Sequence, residues 1–215
     1  MAIRKIHGLL KASHFIPSLI VTSIAFLFGV HYWWEGPAYV IALTVFTGQL
    51  VVGWSNDLYD FEDDLRHQRL NKPLVSGLIS VDYLRKCLVF MVPFSLLANV
   101  FGPLGFKGGI LYWLGIGCGV AYNFYFKFTL LSPLPYAVAF ALLPSSIAIS
   151  KDVTPPLWMW LGGALLGSAA HFINVLKDLE QDRESQINGL PQQIGKRGSV
   201  GIAGILIFIA VAIIA

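Results

Sequence analysis

The chain contains the stretch NDLYDFEDD at residues 56–64, directly after twenty uncharged residues at 36–55. A second stretch, NVLKDLEQD at residues 174–182, closes another uncharged run. In both, Asn or Asp recurs at i, i+4 and i+8: Asn56, Asp60 and Asp64 form the first motif, and Asn174, Asp178 and Asp182 form the second. On an α-helix this spacing places three oxygen-bearing side chains on one face. The sequence therefore predicts two helical faces that form two halves of one metal site.

The composition indicates an integral membrane protein. Of the 215 residues, 56% are hydrophobic and 13% are charged, about half the charged fraction of a soluble domain. Seven windows without Asp, Glu, Lys or Arg are close to the length of a membrane-spanning helix: residues 12–34, 36–55, 87–106, 108–126, 128–150, 153–176 and 198–215. We expect an all-α, polytopic transmembrane bundle of about seven spans around a central cavity open to the cytoplasmic side.

The basic residues predict the topology. With seven spans, 13 of the 15 Lys and Arg residues fall on the side that holds the amino terminus and both motifs. Lys107 and Lys151 alone fall on the other side. Because short cytoplasmic loops are enriched in Lys and Arg, both motifs are expected at the cytoplasmic face of a multi-pass membrane protein. The small net charge of +3 gives no indication of a nucleic-acid partner.

Oxygen ligands beside basic residues favour a magnesium–diphosphate complex, because Mg²⁺ prefers carboxylates and substrate phosphates. The four Asp residues of the motifs are the catalytic candidates, and all six motif residues are the metal-binding candidates. Basic residues surround the motifs: Arg66, Arg69, Lys72, Lys127, Lys177, Arg183 and Lys196. Such a cage would make diphosphate a good leaving group. An allylic cation formed in an apolar, aromatic-rich cavity would be stabilised by cation–π attraction, which indicates an isoprenoid substrate.

Three elements carry a family resemblance. The first motif is followed by KPLVSG at residues 72–77, and the second by Gly189-Leu190-Pro191 and Gly195; YNFYFK at residues 122–127 closes the fourth predicted span. In this order they resemble the UbiA superfamily of intramembrane prenyltransferases. The sequence departs from the family pattern at Lys72, where many members have Arg, at Gly189, where many have Thr, and at Asn174, where several subfamilies have Asp.

The resemblance implies a helical bundle, usually of nine spans, two Mg²⁺ ions and transfer of a prenyl group from a prenyl diphosphate. It also implies that Tyr122 and Lys127 contact the diphosphate. The complete set of expected diphosphate-binding residues is Asn56, Arg69, Lys72, Tyr122, Lys127, Asn174, Lys177 and Arg183. Residues 1–215 are expected to form one such domain that lacks its C-terminal helices.

Three functions remain open on the sequence. The leading hypothesis is transfer to a small lipophilic acceptor, foremost an aromatic quinone-precursor ring, with lipid as the surrounding partner and the oligomeric state undetermined. The alternatives are a membrane terpene cyclase of the same superfamily and a non-enzymatic cation-binding transporter. Asp57 is interpreted as supporting the ligand set, His171 as a packing residue more than a catalytic one, and His14 as an interfacial or loop residue.

Overall fold

The computed structural model describes residues 2–215. These form two compact units, the first ending at Ile110 and the second comprising Leu111–Ala215. The first unit contains helices α1 (Ala2–Ala12), α2 (Phe15–Tyr32), α3 (Glu35–Arg66) and α4 (Val81–Phe101). Helix α5 (Gly105–Phe124) crosses the boundary. The second unit contains a single 3-10 turn (Phe126–Phe128), α6 (Leu134–Ile149), α7 (Leu157–Val175), α8 (Leu179–Glu184) and α9 (Leu190–Ile214). Within residues 2–215 there is no β-strand, so the predicted all-α class is confirmed.

Each of the seven uncharged windows overlaps mainly with one helix, in chain order α2, α3, α4, α5, α6, α7 and α9. By length and composition, α2, α3, α4 and α9 are able to cross a membrane, and α6 is a shorter apolar helix. Large apolar side chains project outward from these helices, for example Phe208, which is 76% exposed. Since apolar side chains on the outside of a helical bundle suit a lipid environment, the fold supports the membrane assignment. The count of seven spans stays a prediction.

Helix α3 is the long element that carries the first motif. Its 32 residues extend for about 48 Å at 1.5 Å per residue, whereas a hydrocarbon core is about 30 Å thick. After Glu35 the helix is uncharged up to Ser55, and the motif occupies its last three turns. A helix of this length places charged residues beyond the apolar span without interrupting its backbone hydrogen bonds.

Buried polar contacts fix α3 in the first unit, where it packs between α2 and α4. Thr47 Oγ1 donates to Ser95 Oγ over 2.7 Å, and Asn99 Nδ2 donates to the Thr44 carbonyl over 3.1 Å. Small polar side chains of this kind join neighbouring helices when the surroundings give little hydrophobic driving force. The amino-terminal helix is attached separately, because Trp54 Nε1 donates to the Leu9 carbonyl over 3.0 Å.

In the second unit, α7 packs against both α6 and α9. Ala169 and Phe172 of α7 meet Ala203 of α9 in a buried apolar cluster. The amino-terminal end of α9 also contacts α8. The carboxyl end of α7, the short α8 and the start of α9 are therefore held together, and they carry the second motif.

Candidate active site

The first motif lies on one continuous helical face, as predicted. Asn56, Asp60 and Asp64 are all within α3. Asn56 Nδ2 donates to Asp60 Oδ2 over 2.9 Å, which ties the first two residues of the motif together. Asp60 is half-buried, and Asp64 is 2% exposed.

The loop after α3 folds back and places two cations on this face. Arg69 Nη1 donates to Asp64 Oδ1 over 2.8 Å. Lys72 Nζ lies 3.0 Å from Asp57 Oδ1 and 3.7 Å from Asp64 Oδ2. The structure thus brings the predicted basic residues Arg69 and Lys72 together with the first motif, where they neutralise part of its negative charge.

The protonation of Lys72 depends on two opposing effects. Burial disfavours the charged ammonium and alone would lower the pKa of Lys72, but the nearby Asp57 and Asp64 carboxylates outweigh it. The net result is a pKa raised above the ordinary value of 10.5. Lys72 therefore remains a cation beside the motif at physiological pH.

Asp57 is a buried carboxylate behind the motif. It is 3% exposed and accepts from Lys72, while its Oδ2 has no hydrogen-bond partner among the described residues. A buried acceptor without a donor is costly, so such an atom is a natural place for a cation or a ligand proton donor. The supporting role assigned to Asp57 stays a prediction; its observed contacts are Lys72 and His14.

His14 touches the first motif from the turn between α1 and α2. Its Nε2 lies 3.1 Å from Asn56 Oδ1 and 3.5 Å from Asp57 Oδ1. The sequence interpretation placed His14 correctly in a connection but missed this contact. Forty-two residues separate His14 from Asn56, and no motif links them; only the return of α3 alongside the α1–α2 turn brings them together.

The second motif is not on one helix, so that prediction is wrong. Asn174 lies in the last turn of α7, which ends at Val175, and Asp182 lies in α8. Asp178 falls between the two helices. Asp182 and Glu180 lie in the first turn of α8, where the positive pole of a helix favours carboxylates.

The residues of the second motif also have different partners. Asn174 is exposed and hydrogen-bonds to the Tyr136 hydroxyl. The Asp178 side chain is 45% exposed, with Lys177 Nζ 4.0 Å away. Asp182 is half-buried and accepts from Gln192 Nε2 over 2.7 Å. The sequence interpretation did not single out Gln192; its one sequence signal is that it belongs to a pair of Gln residues a few positions before the apolar run at 198–215.

The remaining predicted diphosphate ligands of the second unit occupy different settings. Lys127 is 4% exposed in the 3-10 turn, with Nζ 5.2 Å from the centre of the Phe128 ring. The Tyr122 ring lies 5.4 Å from the His171 ring within an aromatic cluster. Lys177 is exposed, and Arg183 Nη2 donates to the Gln192 carbonyl over 3.2 Å. Binding of diphosphate by these residues stays a prediction.

The donor set fits a hard cation in chemistry. Within each motif the side chains offer carboxylate and amide oxygens, the atoms that Mg²⁺ prefers. Across residues 2–215, no group of three or more His, Cys, Asp or Glu side chains is arranged to hold a metal ion. Mg²⁺ commonly takes one or two protein carboxylates and completes its shell with water and substrate phosphates, so few protein ligands suffice.

Comparison with known proteins identifies the family. A sequence model of the UbiA prenyltransferase family matches residues 12–215, and the chain belongs to this family. A lycopene elongase/hydratase from Corynebacterium glutamicum is 23% identical over 172 residues; the match covers 74% of this chain and 58% of that protein's length. The resemblance predicted from the motifs is therefore confirmed.

Solved structures share the fold. A UbiA homologue from Archaeoglobus fulgidus bound to GPP and Mg²⁺ has a TM-score of 0.79 and 18% sequence identity. The same homologue bound to DMAPP and Mg²⁺ has a TM-score of 0.79 and 19% identity. Both matches cover 96% of this chain and 76% of the homologue. At this level of identity the likeness establishes the fold, and the site residues must be judged from their own contacts.

Proposed function

We propose that this chain transfers a prenyl group from a prenyl diphosphate to a lipophilic acceptor in the membrane, with Mg²⁺ as cofactor. The observation that carries the proposal is the arrangement at the end of α3. Asp60 and Asp64 share a helical face, and Arg69 and Lys72 fold back onto the same region, with Arg69 2.8 Å from Asp64. Carboxylates for a cation and adjacent cations for a polyphosphate are what a magnesium–diphosphate ligand requires.

In this proposal the motif carboxylates hold the metal, and the basic side chains bind the outer diphosphate oxygens. Asp60, Asp64, Asp178 and Asp182 are the proposed carboxylate ligands, with Asn56 and Asn174 beside them. When bound, Mg²⁺ offsets the negative charge that develops on the diphosphate as the allylic C–O bond breaks. Arg69 and Lys72 supply direct hydrogen bonds to the leaving group, which requires them to exchange their present carboxylate partners for phosphate oxygens.

An aromatic cluster in the second unit suits the stabilisation of the allylic cation that forms when the diphosphate leaves. The rings of Tyr122, Tyr136 and His171 lie within 5.4 Å of one another, centre to centre. Ring faces attract a cation in apolar surroundings, so Tyr122 and Tyr136 are proposed to stabilise positive charge on the prenyl carbon. The motifs are proposed to lie at the cytoplasmic face, in keeping with the distribution of Lys and Arg.

Two acceptor classes are proposed for direct comparison. An aromatic quinone-precursor ring is the acceptor that the sequence analysis favours. A polyene is the second candidate, because the Corynebacterium relative is a lycopene elongase/hydratase. Both are lipophilic and both are alkylated at carbon, so the donor half of the mechanism is the same.

The deciding experiment measures Mg²⁺-dependent pyrophosphate release from prenyl diphosphates of several lengths by the purified chain, with each acceptor and without any. Acceptor-dependent release with a prenylated product supports the proposal and identifies the acceptor class. Release without acceptor together with a cyclic hydrocarbon would assign a cyclase instead. Absence of release from every donor, in a sample whose helical folding is verified by circular dichroism, would overturn the proposed function.

A further inference from the structure

Gln192 makes the shortest side-chain contact described for the second motif. Its Nε2 donates to Asp182 Oδ2 over 2.7 Å, and the residue is only 6% exposed. A hydrogen bond to a carboxylate is stronger than one between neutral groups, and a buried amide holds its partner in one orientation. Gln192 is therefore placed to set the direction in which the Asp182 carboxylate points.

The main chain of Gln192 is held by the next residue of α8. Arg183 Nη2 donates to the Gln192 carbonyl over 3.2 Å. Two consecutive residues of α8 thus contact the same glutamine, one through its side chain and one through its backbone. This pair of bonds fixes both the position and the rotamer of Gln192 relative to Asp182.

The segment that carries Gln192 is anchored on its other side. The Leu190 N–H donates to Ser132 Oγ over 3.1 Å, and His171 Nε2 lies 3.1 Å from the same oxygen. A Cβ at Gly189 would lie 2.9 Å from the Lys127 carbonyl oxygen, closer than real side chains approach. Glycine therefore permits the close approach that seats this segment.

Gly195 separates this segment from the rest of α9. Its φ of 73° is in the left-handed region, where glycine is favoured, and it interrupts the helical geometry between Ile194 and the apolar run that follows. The turn from Leu190 to Ile194 therefore forms a short platform that contacts α8. The platform stays attached to the helix that follows, because Ser199 Oγ donates to the Pro191 carbonyl over 3.4 Å and because Leu190 and Ile194 pack against the cluster that contains Ala203.

We infer that Gln192 is a positioning residue for metal binding: it holds the Asp182 carboxylate through Oδ2 in the orientation that binds the Mg²⁺–diphosphate. This inference rests on the proposed function above. A neutral donor suits the task, because it orients the carboxylate without cancelling the negative charge that attracts the cation. Positioning partners of this kind typically change metal affinity or activity by about 10- to 100-fold when they are removed.

The test compares Gln192→Met with Gln193→Met in the full-length chain. Methionine has a similar length but no amide donor. Gln193 is the matched control, since it is the neighbouring glutamine, is exposed, and donates only to the Asn188 carbonyl among the bonds described for its side chain. Mn²⁺ binding is measured by electron paramagnetic resonance in the presence of inorganic pyrophosphate, and the thermal unfolding midpoint is measured without metal.

We expect Gln192→Met to weaken Mn²⁺ binding about 10-fold or more, and Gln193→Met to leave it within about twofold. In an Asp182→Ala background, Gln192→Met should cause no further loss, because the carboxylate that it orients is gone. If Gln192→Met lowers the unfolding midpoint but the folded protein binds Mn²⁺ as the parent does, the role is structural and the inference is wrong.

A second variant, Gln192→Asn, tests the inference if Gln192→Met does not fold. Gln192→Asn retains the amide on a side chain one methylene shorter, so it should show an intermediate loss of Mn²⁺ affinity. Unchanged affinity in this variant would equally overturn the inference. If the parent protein binds no Mn²⁺ in the presence of pyrophosphate and releases no pyrophosphate from a prenyl diphosphate, the proposed function itself is wrong. If the parent protein does both but the Gln192 variants bind Mn²⁺ as the parent does, only the inference about Gln192 is wrong.

Discussion

The two motifs have identical spacing in sequence but different surroundings in the structure. In the first unit, Asp57 and Asp64 are buried and paired with Lys72 and Arg69. In the second unit, Asp178 is nearly half exposed, and Asp182 is held by the neutral amide of Gln192. In the first unit, buried carboxylates lie within 3.0 Å of a cation, whereas in the second unit Asp182 accepts from a neutral amide and Asp178 has the exposed Lys177 ammonium 4.0 Å away.

This difference assigns different tasks to the two motifs. A cation entering at Asp64 has to compete with Arg69 and Lys72, so the first motif combines structural stabilisation with ligand binding. A cation approaching Asp182 meets a carboxylate whose charge Gln192 leaves intact. We therefore expect substitutions in the first motif to affect both folding and catalysis, and substitutions in the second to affect catalysis more selectively.

Replacing one carboxylate in each motif tests this comparison, and we expect it to have the largest effect on activity of the substitutions considered. Asp64→Asn and Asp182→Asn should each lower the rate of pyrophosphate release by about 100-fold or more, the size of effect seen when one charge-stabilising group is lost. Asp64→Asn should also destabilise the fold, by at most the roughly 3–5 kcal/mol of a broken buried ion pair, since Arg69 and Lys72 are partly exposed. Unfolding in detergent measures the second effect; equal loss of stability in both variants would contradict the comparison.

The buried lysine of the second unit provides the next test. Lys127 is 4% exposed, whereas the Lys177 side chain is 64% exposed. Lys127→Met should raise the KM for the prenyl diphosphate or lower turnover by about tenfold, because a direct charged contact to the leaving group is worth more than 1 kcal/mol. Lys177→Met should change either value by less than about threefold, as expected for a screened surface charge. Unchanged rates at low and saturating donor in Lys127→Met would leave Lys127 with a topological role only.

Substitutions of Lys72 test whether its positive charge alone is enough to stabilise the buried carboxylates beside the first motif. Lys72→Met leaves the buried Asp57 carboxylate without its ammonium partner and should cost about 1–3 kcal/mol of unfolding free energy. Lys72→Arg keeps the positive charge beside Asp57, so it should recover most of that stability. Denaturant unfolding of the three proteins measures the difference. If Lys72→Met has the same free energy of unfolding as the parent, then burying the Asp57 carboxylate without its ammonium partner has no energetic cost.

The sequence predicts the first motif well because local periodicity determines it. Asn56, Asp60 and Asp64 follow an uncharged span that has no Pro after its second residue, Pro37, and the helix continues through all three. The same spacing fails for Asn174, Asp178 and Asp182, since periodicity does not reveal where a helix ends. Acidic residues alone do not mark the end of a helix, because α3 carries Asp60, Asp63 and Asp64 in its last two turns and continues to Arg66.

Contacts between distant segments are beyond what such patterns predict. His14 reaches Asn56 and Gln192 reaches Asp182 because the chain turns back after a helix, and the geometry of those turns depends on packing. Gly189 and Gly195 were visible in the sequence as part of the family resemblance. Their physical roles, a close approach and a left-handed residue, become clear only once the neighbouring Lys127 carbonyl and the α9 platform are in place.

The smallest expected effect concerns His14, the outer contact of the first motif. Its Nε2 lies 3.1 Å from Asn56 Oδ1, and Asn56 in turn donates to Asp60, so His14 stabilises the amide orientation that directs this donor. The side chain is 42% exposed, and a net hydrogen bond contributes about 0.5–1.5 kcal/mol. His14→Ala should therefore raise the Mg²⁺ concentration for half-maximal activity by a factor of about two to ten, and His14→Gln, which keeps a donor, should raise it less.

The control is His31→Ala, which removes a ring packed edge-to-face against Tyr32 and should leave the Mg²⁺ dependence unchanged. If His14→Ala behaves like His31→Ala, then Asn56 holds its orientation through Asp60 alone, and the first motif needs no support from the amino-terminal turn.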